Sequence, residues 1–381
     1  MASRTVDVVA AAAPSADPYA PGTTAWALAT ALARAGDRVQ VLYPADRDAP
    51  SAPTEVTGVP LELPLRHPGA AVEGAELASA AGRRVRPTAD LVVRDPVGLG
   101  PLGVRRASRG GPLLVGFVRG LELATYDQLR SAGAAGFRDR LDRWRDRRSV
   151  RRLEEGALRE ADRLFVDDPE MGKLLSTEYS VPANRVRTSL PPVPPLPSAP
   201  SADAARGNFR IPTDVPVVAA PAAFESPEAS GTDRAREAFR RVRSFFPGAR
   251  MIVTGTTAPT EAHVASAVGR DGATLAAALA AADVAVFDRR VPGFDPGAVL
   301  ALRAGRAVIV GPGVRFPADP GDAVRTLTSD DPGEFASVLA ELLADPASRR
   351  PMAAAGSAFA RRFEPQRIAE ALLEQTAPLA A

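Results

Sequence analysis

The sequence predicts an α/β protein with two doubly wound domains, and three observations support this class. The chain has 381 residues, which is more than one ordinary hydrophobic core contains. Short apolar runs alternate with amphipathic helical patterns, as in parallel sheets flanked by helices. A stretch with five prolines within Pro191–Pro197 divides this series in two.

The first domain begins with a strand, a helix and a second strand. VDVVAAA and DRVQVLYP are the strands, and TTAWALATALARAG between them has helical spacing. Thr23 or Thr24 is the predicted N-cap, and Gly36 follows the predicted end. Gly22 and the two threonines at this helix N-terminus either cap the helix or contact a ligand. The sequence leaves both interpretations open.

Three more strands and one long helix complete this domain. ADLVVRDP, GPLLVGFVRG and ADRLFVDDP read as buried strands that end in polar residues, where open parallel sheets bind ligands. The arginine-rich stretch 137–160 predicts one helix or two joined helices. Three interpretations of its charged face are open: exposure to solvent, binding to an anionic lipid surface, or binding to nucleic acid. Interleaved acids favour solvent, membrane contact is the second interpretation, and no binding motif supports nucleic acid.

After the prolines, a second series of strands and helices is followed by an all-helical C-terminal pattern. The predicted boundaries are residues 1–188 for the first domain, 189–206 for the linker and 207–362 for the second domain. Residues 363–381 form a C-terminal helix that we expect to pack back on the first domain.

Composition excludes several kinds of site and location. The chain has no cysteine and two histidines, His67 and His263, so we expect no metal site. Asp7 interrupts the N-terminal apolar run, so we do not expect a signal peptide there. No window reaches the ~20 apolar residues that a membrane-spanning helix needs. We therefore expect a cytoplasmic protein, with peripheral contact at the inner membrane face through residues 137–160 as an open alternative.

Taken in order, these elements resemble a GT-B glycosyltransferase of family 4, a group of retaining enzymes that use nucleotide-diphosphate sugars. The resemblance rests on PGTTAWALATALARAGDRVQVLYP, ADLVVRDP and GFVRGLEL in the first half. ADRLFVDDPEMGKLLSTEYSVPANRVRTSLPPV and AAADVAVFDRRVPGFDPGAVLALRAGRAVIV extend it through the second. It implies two Rossmann-like domains, C-terminal helices and, if the protein is active, a nucleotide-diphosphate sugar as donor without a further cofactor.

The family's functional positions are substituted in this chain. Its diphosphate-binding Arg and Lys fall at Glu225 and Ser230, its two glutamates at Pro292 and Leu300, and its active-site histidine at Arg119. A carboxylate at position 225 repels a diphosphate, and the side chains of Pro292 and Leu300 cannot accept hydrogen bonds from a sugar. The resemblance therefore implies a weakened or altered donor site.

Several residues remain as candidates for a divergent site. Arg290 coincides with an arginine common in the family, and backbone N–H groups of the loop around it can bind an anion. The plainer interpretation is that Arg289 and Arg290 pair with Asp288 and Asp295. The candidates are Arg119 and Asp295 for catalysis, Arg290, Gly293, Gly297 and Gly255 for the donor, and Gly22, Thr23 and Thr24 for the acceptor.

Two functional hypotheses follow from the resemblance. In the first, donor activation is weakened or lost, and the protein works with a partner glycosyltransferase or as a glycan-binding subunit. In the second, it is an active divergent retaining transferase that uses a glycan, a lipid-linked molecule or a small molecule as acceptor. A third and unrelated reading is an interaction scaffold that uses the charged helix.

Overall fold

The computed structural model describes most of the chain. For residues 70–73 and 137–145 it describes the backbone alone. The described residues are 3–15, 17, 20, 22–46, 49–63, 70–98, 100–104, 111–119, 137–221, 232–255, 261–267, 269, 271–290 and 293–377.

Within these residues, thirteen strands form two parallel sheets. They are β1 (Thr5–Ala10), β2 (Arg38–Pro44), β3 (Thr57–Leu61), β4 (Leu91–Asp95), β5 (Leu113–Val118), β6 (Arg163–Val166), β7 (Val186–Thr188), β8 (Val217–Pro221), β9 (Arg250–Thr254), β10 (Val264–Ala267), β11 (Val284–Phe287), β12 (Ala307–Val310) and β13 (Arg325–Thr326).

The strand order has one reversal point in each sheet. The first sheet has the order β3-β2-β1-β4-β5-β6-β7 and the second β10-β9-β8-β11-β12-β13, with parallel pairing throughout. The order reverses between β1 and β4 and between β8 and β11. In open α/β sheets, ligands bind beyond the carboxyl ends of the strands near such a point.

Eleven α-helices lie in the described part of the chain, and they confirm the predicted α/β class. They are α1 (Thr23–Arg34), α2 (Ala70–Gly82), α3 (Phe137–Glu160), α4 (Pro169–Glu178), α5 (Ala202–Asn208), α6 (Thr232–Val242), α7 (Gly272–Ala281), α8 (Pro296–Arg303), α9 (Pro332–Ala344), α10 (Pro346–Ala360) and α11 (Pro365–Thr376).

The first sheet belongs to a compact unit formed by Met1–Ser15, Pro21–Pro192 and Pro365–Ala381. β1 is buried along its whole length, as expected for a central strand covered on both faces. Helix α11 packs against α1, and Leu372 of α11 shares an apolar cluster with Trp26 of α1. This unit therefore holds the last helix of the chain in its core.

The second sheet lies in a unit made mainly of Val193–Glu364. Helices α6 and α9 pack together through fully buried residues such as Phe239 and Leu339. α6 has arginines on its outer side and alanine, phenylalanine and valine on its inner side, which is the pattern of a surface helix. Burial of this face fixes the direction in which the first turn of α6 presents its polar residues.

The proline-rich segment has neither helix nor strand between residues 189 and 201, as its composition predicts. Val193 N–H donates to the Phe363 carbonyl at 2.9 Å. The buried guanidinium of Arg303 donates from Nη1 to the carbonyls of Val193 and Pro194, at 3.1 Å each. These bonds hold Val193 and Pro194 within the second unit.

Two local predictions were wrong. Gly22, and not Thr23 or Thr24, is the N-cap of α1, with φ of 84° and no side-chain capping bond. A Cβ atom at Gly22 would lie 3.0 Å from the Ala12 amide nitrogen, so the turn needs both the left-handed backbone and the small residue. His263, expected on a helix surface, lies in a turn before β10.

Candidate functional site

Three charged residues follow one another along the carboxyl edge of the first sheet. Asp95 ends β4, Arg119 comes directly after β5, and Asp167 comes directly after β6. Because these strands are parallel neighbours, their carboxyl ends meet at one edge. We call Asp95, Arg119 and Asp167 the first edge cluster.

Arg119 is held by a bidentate ion pair. Its Nε donates to Asp95 Oδ1 at 3.0 Å and its Nη2 to Asp95 Oδ2 at 3.1 Å. The Asp95 side chain is fully buried, and that of Arg119 is 17% exposed. The guanidinium carbon lies 4.7 Å from the centre of the Phe117 ring, which adds a cation–π contact. This geometry leaves Arg119 little freedom to reorient.

One nitrogen of this guanidinium remains without a partner. Arg119 Nη1 is buried and has no hydrogen bond to any described residue. A buried N–H group of this kind carries the cost of its lost hydration unless a ligand or water accepts from it. Arg119 therefore provides one unused donor beside a rigid ion pair.

Asp167 is the second acidic group of the first edge cluster. Burial raises the pKa of the Asp167 carboxyl above its ordinary value, while the Arg119 charge opposes this rise. Asp168, its neighbour in sequence, caps α4 by accepting from the Glu170 N–H at 2.9 Å. Asp168 is thus part of the helix start, whereas the Asp167 side chain receives no bond from another described side chain.

The carboxyl edge of the second sheet is organised by Arg234 in the first turn of α6. Arg234 donates from Nε and Nη2 to the two oxygens of Asp288, at 2.6 Å each. Nη1 donates to Asp330, and Nη2 also donates to the Arg289 carbonyl at 3.1 Å. The Asp288 side chain is 2% exposed, and burial raises the pKa of its carboxyl. We call Arg234, Asp288 and Asp330 the second edge cluster.

The loops after β11 and β12 are packed closely against this cluster. A Cβ atom at Gly311 would lie 2.0 Å from Asp288 Oδ1, and one at Gly313 would lie 1.9 Å from the Arg289 carbonyl oxygen. Gly293 N–H donates to the Gly313 carbonyl at 2.9 Å. The two loops thus form one platform in which larger residues at positions 311 and 313 would clash.

The donor-side candidates have local partners in this platform. Asp295 is 1% exposed and caps α8 by accepting from the Gly297 N–H at 2.9 Å. Arg290 Nη2 donates to Asp233 at 3.2 Å, and Arg289 Nη1 donates to the Phe294 carbonyl at 3.2 Å. Asp288 is thus bound by Arg234, and Arg290 pairs with Asp233 instead of the acids next to it in sequence.

Leu300 and Gly255 have different environments. Leu300, which the resemblance aligns with a family glutamate, lies in α8 and is 1% exposed. Gly255 follows β9 with φ of 155°, and its N–H donates to the Ala267 carbonyl at 3.1 Å. Its amide is therefore engaged within the sheet.

The remaining predicted residues are placed only in part. Thr23 and Thr24 are half-buried in the first turn of α1. Glu225, Ser230, Pro292 and His67 lie outside the described residues.

The arginine-rich stretch forms the single helix α3. Near its end, Glu155 pairs with Arg151 and Arg159 at 3.1 Å each, as expected for a solvated face with i,i+4 pairs. Within the described residues, no helix has the length and hydropathy needed to cross a bilayer. The same residues contain no group of three His, Asp or Glu side chains that could hold a metal ion.

The sequence did not indicate four members of the two clusters. Asp95 and Asp167 stand at strand ends, which is the one signal that could have pointed to them. Arg234 and Asp330 lie 96 positions apart, and no spacing rule joins them. Their meeting depends on the strand order of the second sheet.

Residues 21–195 match the family model of Glycosyltransferase Family 4. No curated protein matches the sequence significantly. Similar solved structures cover nearly the whole chain. Sucrose-phosphate synthase from Thermosynechococcus elongatus is 18% identical, with 99% of each chain covered and a TM-score of 0.69.

Two further structures agree with this fold. WaaG, described as a glycosyltransferase involved in lipopolysaccharide biosynthesis, is 15% identical, with 97% of this chain and 98% of WaaG covered and a TM-score of 0.70. Anabaena HepE in complex with UDP-glucose is 14% identical, with 98% and 100% covered and a TM-score of 0.66. The chain thus has the two-domain fold of GT-B glycosyltransferases and, in residues 21–195, the sequence pattern of Glycosyltransferase Family 4.

Proposed function

We propose that this protein is a family-4-like glycosyltransferase homologue that has weak or no donor activation and works with an active partner transferase or as a glycan-binding subunit. The observation that carries the proposal is the second edge cluster. All three nitrogens of Arg234 donate to groups of the protein itself. The charge of Arg234 is therefore already neutralised by carboxylates.

A nucleotide-diphosphate sugar needs positive charge where its leaving group develops negative charge. For Arg234 to provide it, the guanidinium would have to leave Asp288, whose carboxylate is 2% exposed and would then be buried without a partner. Arg290 is likewise paired, with Asp233. The buried pair makes Arg234 a poor ligand for a diphosphate, whereas the pair of Arg290 is exposed at the surface.

The substituted family positions support the same conclusion. By the resemblance, Glu225 and Ser230 replace the two diphosphate-binding cations, and Leu300 replaces a glutamate. A carboxylate about 4 Å from a phosphate costs roughly 1 to 4 kcal/mol, depending on the local dielectric. Leu300 is a buried residue of α8, and its apolar side chain cannot accept a hydrogen bond from a ribose hydroxyl.

Donor hydrolysis provides the test. We expect no release of nucleoside diphosphate when the purified protein is incubated with UDP-, GDP- or ADP-glucose, and no shift of its thermal midpoint. The double variant Glu225→Arg/Ser230→Lys should gain a thermal shift with at least one of these donors.

A matched control is Glu374→Arg/Ser198→Lys, which makes the same change in net charge at two exposed positions. It should show no shift. Donor turnover by the wild-type protein would contradict the proposal and would instead support an active divergent transferase. Equal thermal shifts in the two double variants would show that the family alignment at positions 225 and 230 is wrong.

A further inference from the structure

We propose that residues 196–200, with the sequence LPSAP, form a polyproline II ligand that binds the aromatic-lined groove of a partner protein. This inference goes beyond the proposed function, because none of these residues belongs to an edge cluster or to a substituted family position.

The backbone conformation of this stretch follows from its prolines. Proline fixes φ at about −65°, and the residue before a proline is restricted to extended or polyproline II backbone. In residues 193–200, every residue except Ser198 is a proline or precedes one. Ser201, which follows, has φ of −60° and ψ of 156°, close to polyproline II. The sequence thus allows little other than this conformation.

The prolines also have the spacing that a proline-binding groove recognises. Pro194, Pro197 and Pro200 recur every three residues, which is one turn of a polyproline II helix, so they lie on one face. Grooves of this kind bind two prolines of a PxxP pattern. Pro197 is exposed and Pro200 is half-buried, so this pair is open to a partner.

The backbone polar groups of residues 195–200 remain available for an interface. No hydrogen bond joins their carbonyl or N–H groups to any described residue. Arg303 takes the carbonyls of Val193 and Pro194, so internal bonding stops just before this stretch. Trp N–H and Tyr O–H groups of an aromatic groove need acceptors, and the carbonyls of residues 195–200 provide them.

Both ends of the stretch are anchored within the second unit. At the start, Val193 N–H donates to the Phe363 carbonyl at 2.9 Å. At the end, Ser201 caps α5, and its Oγ accepts from the Ala204 N–H at 3.3 Å. A ligand that is already held in its bound conformation loses less entropy when it binds. The anchors therefore favour binding.

The lack of charge defines the chemistry of the groove. Residues 188–202 contain no Asp, Glu, Lys or Arg, and the nearest charged residues are Arg187 and Asp203. An acidic pocket that recognises an arginine beside the prolines would find no partner within this stretch. The groove that fits it is lined by aromatic and neutral polar side chains.

A double variant removes the two prolines that the groove would bind. Pro197→Ala/Pro200→Ala also lifts the restriction on the residues before them. The matched control is Pro212→Ala/Pro247→Ala, which replaces two exposed prolines elsewhere in the second unit. Thermal unfolding of both double variants shows whether each is folded.

NMR titration of an isotope-labelled WW domain with the unlabelled full chain provides the measurement. We expect saturable shifts of the aromatic groove of the WW domain with the wild type and with the control. The affinity should fall roughly tenfold or more with Pro197→Ala/Pro200→Ala. An SH3 domain with an acidic specificity pocket is the counter-probe and should bind the wild type more weakly.

Failure of the WW domain to bind the wild type would overturn this inference. Equal binding by the wild type and Pro197→Ala/Pro200→Ala would also overturn it, because the contact would then lie elsewhere on the chain. Tighter binding of the SH3 domain would contradict a neutral groove. The proposed function fails separately, through turnover of a nucleotide sugar.

Discussion

The carboxyl edges of the two sheets carry the same kind of buried ion pair but differ in what the arginine leaves unbound. In the first edge cluster, Arg119 gives two nitrogens to Asp95 and keeps Nη1 without a described partner. In the second, Arg234 gives all three nitrogens to Asp288, Asp330 and a backbone carbonyl. One guanidinium thus keeps a nitrogen with no described partner, and the other has every nitrogen bonded within the protein.

Under the proposed function, this difference corresponds to one sheet edge that binds a ligand and another that does not. A parallel sheet brings strand ends together whatever their side chains are, so the edge is a permanent position for a site. Whether it binds depends on whether the side chains pair with one another. An arginine whose donors are all bonded within the protein stabilises the fold and contributes little to recognition.

The largest expected effect comes from breaking the second edge cluster. Arg234→Met leaves the Asp288 carboxylate, with a side chain 2% exposed, without its partner. We expect the free energy of unfolding to fall by roughly 3–5 kcal/mol. Denaturant unfolding of the purified variant measures this.

The control for this variant is Arg240→Met in the same helix. Arg240 is 52% exposed and pairs with Glu237 and Glu261 at the surface, so its loss should cost at most about 1 kcal/mol. Equal losses for the two variants would show that the Arg234 pair is not the element that stabilises this edge.

A smaller effect should follow from crowding the loop platform. In Gly313→Ala the new Cβ atom would lie 1.9 Å from the Arg289 carbonyl oxygen, so the backbone has to shift. We expect a loss of roughly 1–3 kcal/mol of unfolding free energy.

Gly207→Ala is the matched change, because a Cβ atom there meets no atom within 4 Å and the position is helical. It should stabilise the protein by about 0.4–1 kcal/mol. If Gly313→Ala were as stable as Gly207→Ala, the close approach of the two loops would be wrong.

The smallest effect concerns the loop that carries Asp330. Glu334 accepts hydrogen bonds from the backbone N–H and hydroxyl groups of Thr328 and Ser329, which hold this loop at the start of α9. These bonds, led by that from the Ser329 hydroxyl, lower the pKa of Glu334 from 4.5 to about 2. The folded state therefore prefers the ionised carboxylate.

This preference has a defined pH dependence. Because the pKa is lowered on folding, the stabilisation is fully present above 4.5 and is lost as the pH falls towards about 2. Glu334→Gln should lower the thermal midpoint near neutral pH, and the difference from wild type should shrink on acidification. Glu370→Gln, at an exposed glutamate of α11, should change neither the midpoint nor its pH dependence. A difference that stays constant with pH would exclude the carboxylate as its cause.

The fold could be predicted well because its signals are local. Apolar runs of strand length end in Gly, Pro or Asp along most of the chain, and the helices between them have clear periodicity. Gly36 follows α1 with φ of 100°, as predicted from its place after the helix. The N-cap of the same helix was missed because a left-handed Gly22 precedes two plausible capping threonines.

The site was harder to predict because its pairs are not local. Arg119 was identified through the resemblance, but its partner Asp95 lies 24 positions earlier and meets it through the adjacency of β4 and β5. Asp288 was expected to pair with an arginine next to it, whereas its partner Arg234 lies 54 positions away. Pairing of this kind follows strand order and helix placement, which a single sequence does not specify.

Calorimetric titration of the wild-type protein with UDP-glucose, GDP-glucose and ADP-glucose tests the central claim most directly, because it measures donor binding without requiring turnover. Our account predicts no saturable heat with any of the three, since Arg234 and Arg290 at the second sheet edge are paired with carboxylates. Saturable binding in the micromolar range by any one of them would contradict it.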